Sequence, residues 1–473
     1  MKINPFIFRG YDIRGEVDKD LNPEVIELIG QAHGTYLKSI GVDKAVVGSD
    51  NRLSSESYRQ AVIKGLNETG VNTIDLGLSL SPIVYWAQYY FKSKGAVMIT
   101  GSHNPVEYNG LKLGRDYSSA FTPIQEIKRK VLEKDFVEGQ GKSETAPPNY
   151  INEYYKDLLS KVGKIKKFKV VVDAANATAG KFYPELLRRA GCDVVEQNCE
   201  LDGSFPNGTP DPTEEKVAQR LADRVIKEGA DIGFSYDGDG DRMGLVDEKG
   251  GIIWNDVLVA IFADAVISEI PGAEIMYNNL CSRVVDDVIR KAGGKPILWV
   301  TGHAFIKDRA KKDKIPFAGE LSGHFFFSDK FYGHDDGGYA SLRLLEYLTS
   351  QNKTLSEVVS GFPKYISSPE IKIGCGDEVK FDVIKRMAAK VKNDFSKERI
   401  SFVDDPSIDS YVRVDFEDGM LILRPSQNGP YMTIKFEAKD QKTYDERRLY
   451  IRNILKASPE INWDEGVNLE IFK

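Results

Sequence analysis

The sequence predicts an α/β protein with three analogous α/β domains, whose sheets are mixed and largely parallel, and a smaller carboxyl-terminal α+β domain. Apolar runs too short for helices alternate with helical segments from residue 44 to about residue 300, which is typical of parallel sheets with helical crossovers. After residue 361 the runs become short and alternating, which is typical of an antiparallel sheet. A length of 473 residues accommodates three or four domains.

The first two domains are predicted to span residues 1–150 and 151–253. A polar stretch that ends in Pro147-Pro148 marks the boundary between them. In the first domain we expect strands at 44–48, 72–76 and 96–100, and helices at 23–39, 55–70, 82–91 and from residue 124 onward. In the second we expect strands at 169–173, 193–195 and 230–235, and helices at 182–190 and 216–228.

The last two domains are predicted to span residues 254–364 and 365–473. The third repeats the α/β pattern, with strands at 274–277 and 296–300 and helices at 256–266 and 282–291. The fourth has predicted strands at 370–373, 401–403, 411–416, 419–425 and 432–438, and helices at 381–395 and 442–457.

Composition bounds the location and the partners. Apolar residues make up 41% of the chain, without a run long enough to span a bilayer, and the amino terminus lacks the apolar core of a secretory signal. Four cysteines without metal-ligand spacing fit reduced thiols, so we expect a cytoplasmic protein. A net charge of −7 argues against nucleic-acid binding, and an anionic ligand would need clustered local cations.

The stretch that most directly suggests chemistry follows the predicted strand at 96–100. There Gly101-Ser102-His103-Asn104-Pro105 ends the strand abruptly, at the edge where open α/β sheets place ligands. Gly101 permits unusual backbone angles and Pro105 stiffens the exit, so we expect the Ser102 side chain to be held in place. A fixed serine acts as a nucleophile or carries a phosphoryl group; the alternative is an ordinary turn serine.

A second stretch, Tyr236 to Arg242, has aspartates at alternate positions. Asp237, Asp239 and Asp241 are hard oxygen ligands that suit Mg²⁺ or Ca²⁺. A calcium EF-hand is disfavoured because Arg242 stands where its turn requires glycine and because the flanking segments resemble strands. A solvated acidic hairpin is the other alternative. Three close carboxylates repel one another unless a cation lies among them, so we favour a metal site with room for a further oxygen ligand, such as a phosphoryl group on Ser102.

Two further loops carry polar side chains, and each loop has two possible interpretations. Near the amino terminus, Arg9 and Arg14 are each followed by a glycine and suit phosphate binding, or belong to a solvated surface turn. In Gly-Glu-Leu-Ser-Gly-His, Glu320 and Ser322 are a carboxylate and a hydroxyl that bond sugar hydroxyls, or they form a capped turn.

Two more segments contain basic groups. His303 and Lys307 lie one helical turn apart, and they grip an anion or form a solvated face. Arg424 and Ser426, with the following residues, suit phosphate binding through the guanidinium, the hydroxyl and backbone N–H groups. A plain β-turn at Asn428-Gly429 is the alternative.

Taken together, these motifs resemble a known family. Thr-Gly-Ser-His-Asn-Pro, Asp-Gly-Asp-Gly-Asp-Arg, Gly-Glu-Leu-Ser-Gly-His and Arg-Pro-Ser, in this order, resemble the four signature loops of the α-D-phosphohexomutase superfamily, and the most similar branch is the bacterial phosphomannomutase/phosphoglucomutase group. The resemblance covers essentially the whole chain and implies four domains around a central cleft. It implies interconversion of hexose 1-phosphate and hexose 6-phosphate, of mannose, glucose or both, in a monomer or weak dimer without nucleic-acid or membrane partners.

The resemblance also implies roles for individual residues. Ser102 would be phosphorylated and, with Asp237, Asp239 and Asp241, would bind one Mg²⁺ per chain; a hexose 1,6-bisphosphate would be both intermediate and activator. The expected catalytic residues are Ser102, Arg14 (electrostatic stabilisation), His103 (loop shape or proton relay), Lys112 (a base if its pKa is lowered) and Arg242. The expected substrate-binding residues are Tyr11, His303, Glu320, Ser322, His324, Arg424, Ser426, Gln427 and Asn428.

Substrate choice is only partly predicted. If Glu320 and Ser322 bond hydroxyls 3 and 4, they do not distinguish glucose from mannose, which differ at carbon 2. Phosphoglucosamine mutases remain an alternative, although they usually have glutamine where this chain has Leu321. Many relatives have threonine at the position of Asn428 and lysine at that of Leu280, so the details of phosphate contact stay open. Alternatives of other classes are a metal-dependent sugar phosphatase and a sugar-phosphate sensor without catalysis.

Overall fold

The computed structural model describes residues 3–117, 123–405, 409–426 and 429–472. Helices and strands are numbered here in chain order. The first segment contains β1 (Ile13–Glu16), α1 (Pro23–Ser39), β2 (Lys44–Ser49), α2 (Ser55–Glu68), β3 (Asn72–Leu78), α3 (Ser81–Tyr90), β4 (Gly95–Ile99), β5 (Tyr108–Gly114), α4 (Ile124–Glu133) and β6 (Ser143–Thr145).

Strands β1 to β6 form one sheet in the order β1-β5-β4-β2-β3-β6. Strands β4, β2 and β3 are parallel, whereas β5 runs antiparallel to both β4 and β1. The buried residues of helices α1 and α2 recur at helical spacing, so each helix has one apolar face. These faces share a hydrophobic core with the sheet. Because β4, β2 and β3 are parallel, their carboxyl ends lie at one edge of the sheet, and the loops after Ser49, Leu78 and Ile99 come together there.

The second segment is again α/β. It contains α5 (Tyr150–Ser160), β7 (Lys169–Asp173), α6 (Ala179–Arg189), β8 (Asp193–Gln197), α7 (Glu215–Glu228), β9 (Ile232–Tyr236), β10 (Met243–Asp247) and β11 (Ile252–Ile253). These strands form a sheet in the order β11-β10-β9-β7-β8, in which β8, β7 and β9 are parallel. Strands β9 and β10 form an antiparallel hairpin whose loop carries the three aspartates.

The third segment contains α8 (Asn255–Glu269), β12 (Glu274–Asn278), α9 (Arg283–Lys291), β13 (Lys295–Trp299), α10 (His303–Asp313), β14 (Phe317–Gly319), β15 (Phe325–Phe327), α11 (Gly337–Gln351) and α12 (Leu355–Ser360). Strands β12 and β13 are parallel. Strands β14 and β15 form an antiparallel hairpin around the loop that carries Glu320 and Ser322.

The fourth segment contains β16 (Ile366–Ser367), β17 (Ile371–Cys375), α13 (Lys380–Asp394), β18 (Arg399–Asp405), β19 (Asp409–Phe416), β20 (Gly419–Pro425), β21 (Tyr431–Ala438), α14 (Gln441–Lys456) and β22 (Ile461–Val467). Its sheet has the order β18-β19-β20-β21-β17-β22, with β16 added at β21, and neighbouring strands are antiparallel. Apolar side chains of α13, α14 and the sheet form its core.

The chain forms two compact units. The first comprises the chain up to Leu258 together with Lys307–Ser360, and the second comprises Val259–Ile306 together with the chain from Gly361 onward. The segment 254–364, which the sequence assigns to one domain, thus contributes to both units. Among the described residues, no helix has the length and apolar character needed to cross a membrane.

Most predicted helices and strands agree with the structure to within a few residues. The sequence gives no predicted range for helices α5, α10, α11 and α12. Helix α5 lies where the sequence analysis places a domain boundary, next to Pro147-Pro148, and α11 begins with two glycines, which have low intrinsic helix propensity. Strand β5, which follows the serine loop and pairs with β4, was not predicted either.

Candidate active site

The serine loop follows the fully buried strand β4. Ser102 is 2% exposed and has φ = 50°, in the left-handed region that residues with a side chain rarely adopt. The sequence predicts the unusual backbone angles at Gly101 instead. In the structure φ of Gly101 is not positive, and its missing side chain serves packing: a Cβ atom there would lie 2.4 Å from Nε of Arg52.

Ser102 is held at both its backbone and its hydroxyl group. Its backbone N–H donates to Oγ1 of Thr100 at 2.7 Å, and its Oγ donates to Oδ2 of Asp237 at 2.9 Å. Nδ1 of His103 lies 3.3 Å from the same Oγ. Burial, together with the nearby Arg242 guanidinium, lowers the pKa of His103 to about 3, so the imidazole is neutral at pH 7. The hydroxyl of Ser102 therefore faces a carboxylate and a neutral base.

The aspartate loop forms the partner of the serine loop. Carboxylate oxygens of Asp237, Asp239 and Asp241 lie within 4.8 Å of one another, and all three residues are buried. Strands β9 and β10 flank the loop, as predicted, and not the helices that an EF-hand requires. Ser81, at the start of α3, donates through Oγ to Oδ2 of Asp239.

Lys112, in β5, lies against two of these carboxylates. Its Nζ donates to Oδ2 of Asp239 at 2.6 Å and to Oδ2 of Asp241 at 2.5 Å. Burial lowers the pKa of Lys112, but the two carboxylates outweigh this effect and raise it well above its ordinary value. The hypothesis that Lys112 acts as a base requires a lowered pKa, and these contacts shift the pKa in the opposite direction.

The three aspartates also have the properties expected of cation ligands. Within the described part of the chain, Oδ1 of Asp239 and Oδ1 of Asp241 are buried without a hydrogen-bond partner. Burial raises the pKa of Asp237 well above its ordinary value, and the charges of Asp241 and Asp239 add to this effect. Buried, unpartnered carboxylate oxygens are costly unless a cation compensates them, so this cluster could hold a metal ion.

Two arginines predicted as catalytic lie beside these loops. Arg14 donates through Nη1 to the carbonyl of Thr100 and through Nε to Oδ2 of Asp12 at 2.9 Å. The backbone N–H of Arg242 donates to Oδ1 of Asp237 at 3.2 Å, while its Nε donates to Nε2 of His324 at 2.9 Å. Burial lowers the pKa of Arg242, but Asp237 and Asp211 outweigh it, so the guanidinium remains charged.

The loop between β14 and β15 lies against the aspartate loop. Arg242 and His324 form an antiparallel backbone bridge, and the N–H of Met243 donates to the carbonyl of Gly323 at 3.2 Å. Glu320 is 1% exposed, and Ser322 is half-buried. The structure therefore brings Glu320 and His324 to the same site as Ser102.

Tyr11 and Lys307 are two further predicted residues. Burial raises the pKa of the Tyr11 phenol, and the negative charges of Asp12 and Glu320 add to this effect. Lys307 pairs with Asp335 at 3.0 Å, and Asp335 lies 2.8 Å from Nδ1 of His324. Lys307 is 5% exposed, so the alternative of a solvated face is wrong for this residue.

The other predicted phosphate-binding residues lie in the second compact unit. Arg424, in β20, is buried; its Nη2 lies 3.2 Å from Oδ1 of Asp409, and in the described chain its Nε has no hydrogen-bond partner. The N–H of Ser426 donates to the carbonyl of Tyr431 at 2.8 Å. His303, at the start of α10, is 5% exposed. Gln427 and Asn428 lie outside the described residues.

Two buried basic side chains that donate hydrogen bonds to the backbone of these loops were not predicted. Nζ of Lys380 donates to the carbonyls of Ser426 and Gly429 at 2.6 and 3.1 Å. Arg52 makes similar contacts with the serine loop. The position of Arg52 after β2, a parallel neighbour of β4, is a signal that could have indicated it, because the two carboxyl ends share one edge. The sequence around Lys380 contains no comparable signal.

Comparison with protein families identifies the whole α/β region. Residues 5–138, 148–251 and 254–365 match the models of phosphoglucomutase/phosphomannomutase alpha/beta/alpha domains I, II and III, respectively. Three successive α/β domains, followed by the antiparallel sheet of the carboxyl-terminal segment, confirm the predicted fold class.

Relatives match over nearly the full length. The chain is 37% identical to a phosphomannomutase/phosphoglucomutase of Pseudomonas putida over 96% of both chains, and 34% identical to a phosphoglucomutase of Neisseria meningitidis over 97% of this chain and 98% of that one. A crystal structure of a phosphoglucomutase/phosphomannomutase family protein from Burkholderia thailandensis, 33% identical, superposes with a TM-score of 0.87 over 98% of this chain and 99% of that chain. The chain therefore belongs to the phosphoglucomutase/phosphomannomutase family.

Proposed function

We propose that this chain is a phosphohexomutase that interconverts hexose 1-phosphates and hexose 6-phosphates of glucose, mannose or both. The observation that carries the proposal is the hydrogen bond of 2.9 Å from Oγ of Ser102 to Oδ2 of Asp237, between residues 135 positions apart. It joins the serine suited to carry a phosphoryl group to the carboxylate cluster suited to a divalent cation. The names of the relatives support the same reaction.

Asp237, Asp239, Asp241 and a phosphoryl group on Ser102 would hold one Mg²⁺. When bound, this ion neutralises part of the charge of the phosphoserine, so that a second anion can approach. Arg14, which hydrogen-bonds the carbonyl of Thr100 beside the serine, adds a fixed positive charge. Lys112 and Arg242 contribute two more charges, because Nζ of Lys112 donates to Asp239 and Nε of Arg242 lies 3.8 Å from Oδ2 of Asp237.

In the forward reaction, the P–Oγ bond of phosphorylated Ser102 breaks as a bond forms between phosphorus and a hydroxyl oxygen of the hexose phosphate. The hydroxyl loses its proton, and Oγ of Ser102 gains one. His103 is neutral and its Nδ1 lies 3.3 Å from Oγ, so it is placed to hold a proton at that atom. The resulting hexose 1,6-bisphosphate turns around and returns its other phosphoryl group to Ser102, which regenerates the phosphoenzyme.

We assign the sugar to Glu320 and Ser322, with Tyr11 and His324 in supporting contacts. The buried carboxylate of Glu320 suits a bidentate contact with two neighbouring hydroxyls. The non-reacting phosphate is assigned to Arg424 and its neighbours Ser426, Gln427 and Asn428, together with His303. Nε of Arg424 is buried and has no hydrogen-bond partner among the described residues, which supports this assignment because a phosphate oxygen would satisfy it.

The test is a coupled assay that compares glucose 1-phosphate, mannose 1-phosphate and glucosamine 1-phosphate, with Mg²⁺ and catalytic glucose 1,6-bisphosphate. We expect hexose 6-phosphate from the glucose or mannose ester. A clear preference for the glucosamine ester would favour a phosphoglucosamine mutase. Release of inorganic phosphate without 6-phosphate would favour a phosphatase, and binding without turnover would favour a sensor.

A further inference from the structure

Arg52 makes an unusual set of contacts with the serine loop. Its Nη1 donates to the carbonyls of Pro105 and Tyr108 at 2.7 and 2.9 Å. Its Nη2 donates to the carbonyls of Ser102 and Asn104 at 2.8 and 2.6 Å. One guanidinium therefore satisfies four backbone carbonyls of a single turn.

The surroundings hold this guanidinium in a fixed position. Arg52 is buried, and its Nε lies 3.3 Å from Oδ2 of Asp50, which compensates its charge. The ring of Phe205 lies 5.0 Å from its Cζ on another side. Asp50 also accepts from the backbone N–H of Gly101 at 3.3 Å, so the same ion pair binds the loop at a fifth point.

Gly101 leaves the space that this arrangement needs. A Cβ atom at Gly101 would lie 2.4 Å from Nε and 2.5 Å from Cζ of Arg52, which is closer than atoms can pack. The next residue, Ser102, has a positive φ, a conformation that persists only where surrounding contacts impose it. The loop and Arg52 thus fit each other in one arrangement.

We propose that Arg52 is a positioning residue for the phosphoryl-transfer reaction. It fixes the backbone of residues 102–108 so that Oγ of Ser102 faces Asp237. It does so through the loop carbonyls, without touching the substrate. This inference rests on the proposed mutase function, because it assigns Arg52 to the same reacting serine.

Arg52→Lys is the first test. Lysine keeps the charge but offers one nitrogen, which cannot reach the carbonyl pairs that Nη1 and Nη2 serve separately. Misplacement of the serine by about 1 Å lowers kcat about 100-fold. We expect KM for the hexose 1-phosphate to change less than about threefold, since the substrate-binding residues keep their contacts. Phosphorylation of Ser102 by glucose 1,6-bisphosphate, followed by mass spectrometry, should slow by a similar factor.

Arg343→Lys is the matched control. Arg343 is buried and forms two hydrogen bonds with Asp329, at 2.9 and 2.7 Å, and among the described residues its polar partners all lie outside the serine loop. Its replacement should lower stability and leave kcat within about twofold of the wild-type value. If Arg52→Lys folds and its kcat stays within about threefold of the wild-type value, the proposal is wrong.

Gly101→Ala tests the proposal without changing any charge, and it decides the matter if Arg52→Lys does not fold. The added methyl group must displace the Arg52 side chain, so the variant should show the same loss of kcat with a nearly unchanged KM. A Gly101→Ala variant with wild-type kcat would overturn the proposal.

Amide hydrogen exchange separates failure of this inference from failure of the proposed function. In Arg52→Lys, we expect at least tenfold faster exchange at Ser102, Asn104 and Tyr108, with unchanged exchange in α11. This readout needs no substrate. If the wild-type protein lacks mutase activity, the proposed function fails and exchange still tests the loop contact. If the wild type is active and loop exchange is unchanged, the positioning role fails alone.

Discussion

Nζ of Lys112 lies 2.6 Å from Oδ2 of Asp239, although 127 positions separate the two residues in the chain. The same ammonium lies 2.5 Å from Oδ2 of Asp241, and all three side chains are buried. Lys112 and a bound divalent cation would therefore offset the same buried negative charge. Loss of one should make the protein depend more strongly on the other.

Lys112→Met tests this dependence through stability. Removal of one partner of a buried ion pair costs about 3–5 kcal/mol, so metal-free Lys112→Met should unfold at a much lower urea concentration than the wild type. Saturating Mg²⁺ should recover more stability in the variant than in the wild type, since a ligand stabilises the state that it binds. Lys380→Met removes a buried cation that contacts carbonyls in the other unit, and Mg²⁺ should not rescue it. Equal stabilisation of wild type and Lys112→Met by Mg²⁺ would contradict the shared role.

Ser102→Ala should abolish mutase turnover and largely spare the fold. The variant loses the hydrogen bond to Asp237, which costs about 1 kcal/mol, but it also loses the atom that carries the phosphoryl group. Ser93→Ala is the matched control, because Ser93 is buried next to the opposite end of β4 and bonds the carbonyl of Lys44. We expect the control to turn over normally in the coupled assay. Retained turnover in Ser102→Ala would rule out the phosphoserine mechanism.

Asp239→Asn should weaken the response to Mg²⁺. The amide keeps an oxygen but loses the negative charge, so the Mg²⁺ concentration for half-maximal activity should rise about tenfold or more, with slower phosphoryl transfer. Asp247→Asn is the control, since Asp247 lies at the far end of β10 and bonds backbone N–H groups of Lys249 and Gly251. An Mg²⁺ titration of Asp239→Asn that matches the wild type would argue against the metal assignment.

The buried imidazole of His33 should make the free energy of unfolding decrease as the pH falls. It is buried in α1, and burial lowers its pKa from 6.5 to about 4, against a smaller opposing effect of backbone groups at Ala96 and Gly114. Between pH 6.5 and pH 4 the unfolded chain therefore binds more protons than the folded protein. The contribution of neutral, buried His33 to the free energy of unfolding is complete above pH 6.5 and is lost as the pH falls toward 4. A shift of this size corresponds to about 3 kcal/mol.

His33→Leu is the corresponding variant, measured by urea unfolding between pH 7 and pH 4.5. Its stability should fall less steeply with acid than that of the wild type, although some slope should remain because the pKa of His334 is also lowered to about 4 by burial. Parallel stability curves for the two proteins would contradict this assignment.

Much of the candidate site was predictable because several of its key residues belong to short local motifs. The alternation in Asp237, Asp239 and Asp241 and the abrupt end of β4 before Ser102 are local patterns, and local backbone geometry places them in loops after buried strands. In the structure Ser102 and the three aspartates lie in loops that follow buried strands. The family resemblance predicted their common site, which the hydrogen bond from Ser102 to Asp237 now supports.

Other features depend on contacts between distant segments. Helix α11 begins with Gly337 and Gly338, which disfavour a helix, yet a Cβ at Gly338 would lie 2.4 Å from the ring of Tyr183. Glycine is required there by packing against another segment, which no local pattern reveals. For the same reason the sequence indicated the wrong role for Gly101, whose absent side chain makes room for Arg52.

The sequence by itself determined most of the helices and strands, the serine and aspartate loops and the family, because hydrophobic periodicity and short motifs are local properties of the chain. Only the tertiary structure decided which cations serve these loops. It brought Lys112 against the aspartates and Arg52 against the serine loop. The physical reason is that a buried charge must be compensated by whichever groups the fold brings within a few ångströms, and sequence distance does not limit that choice.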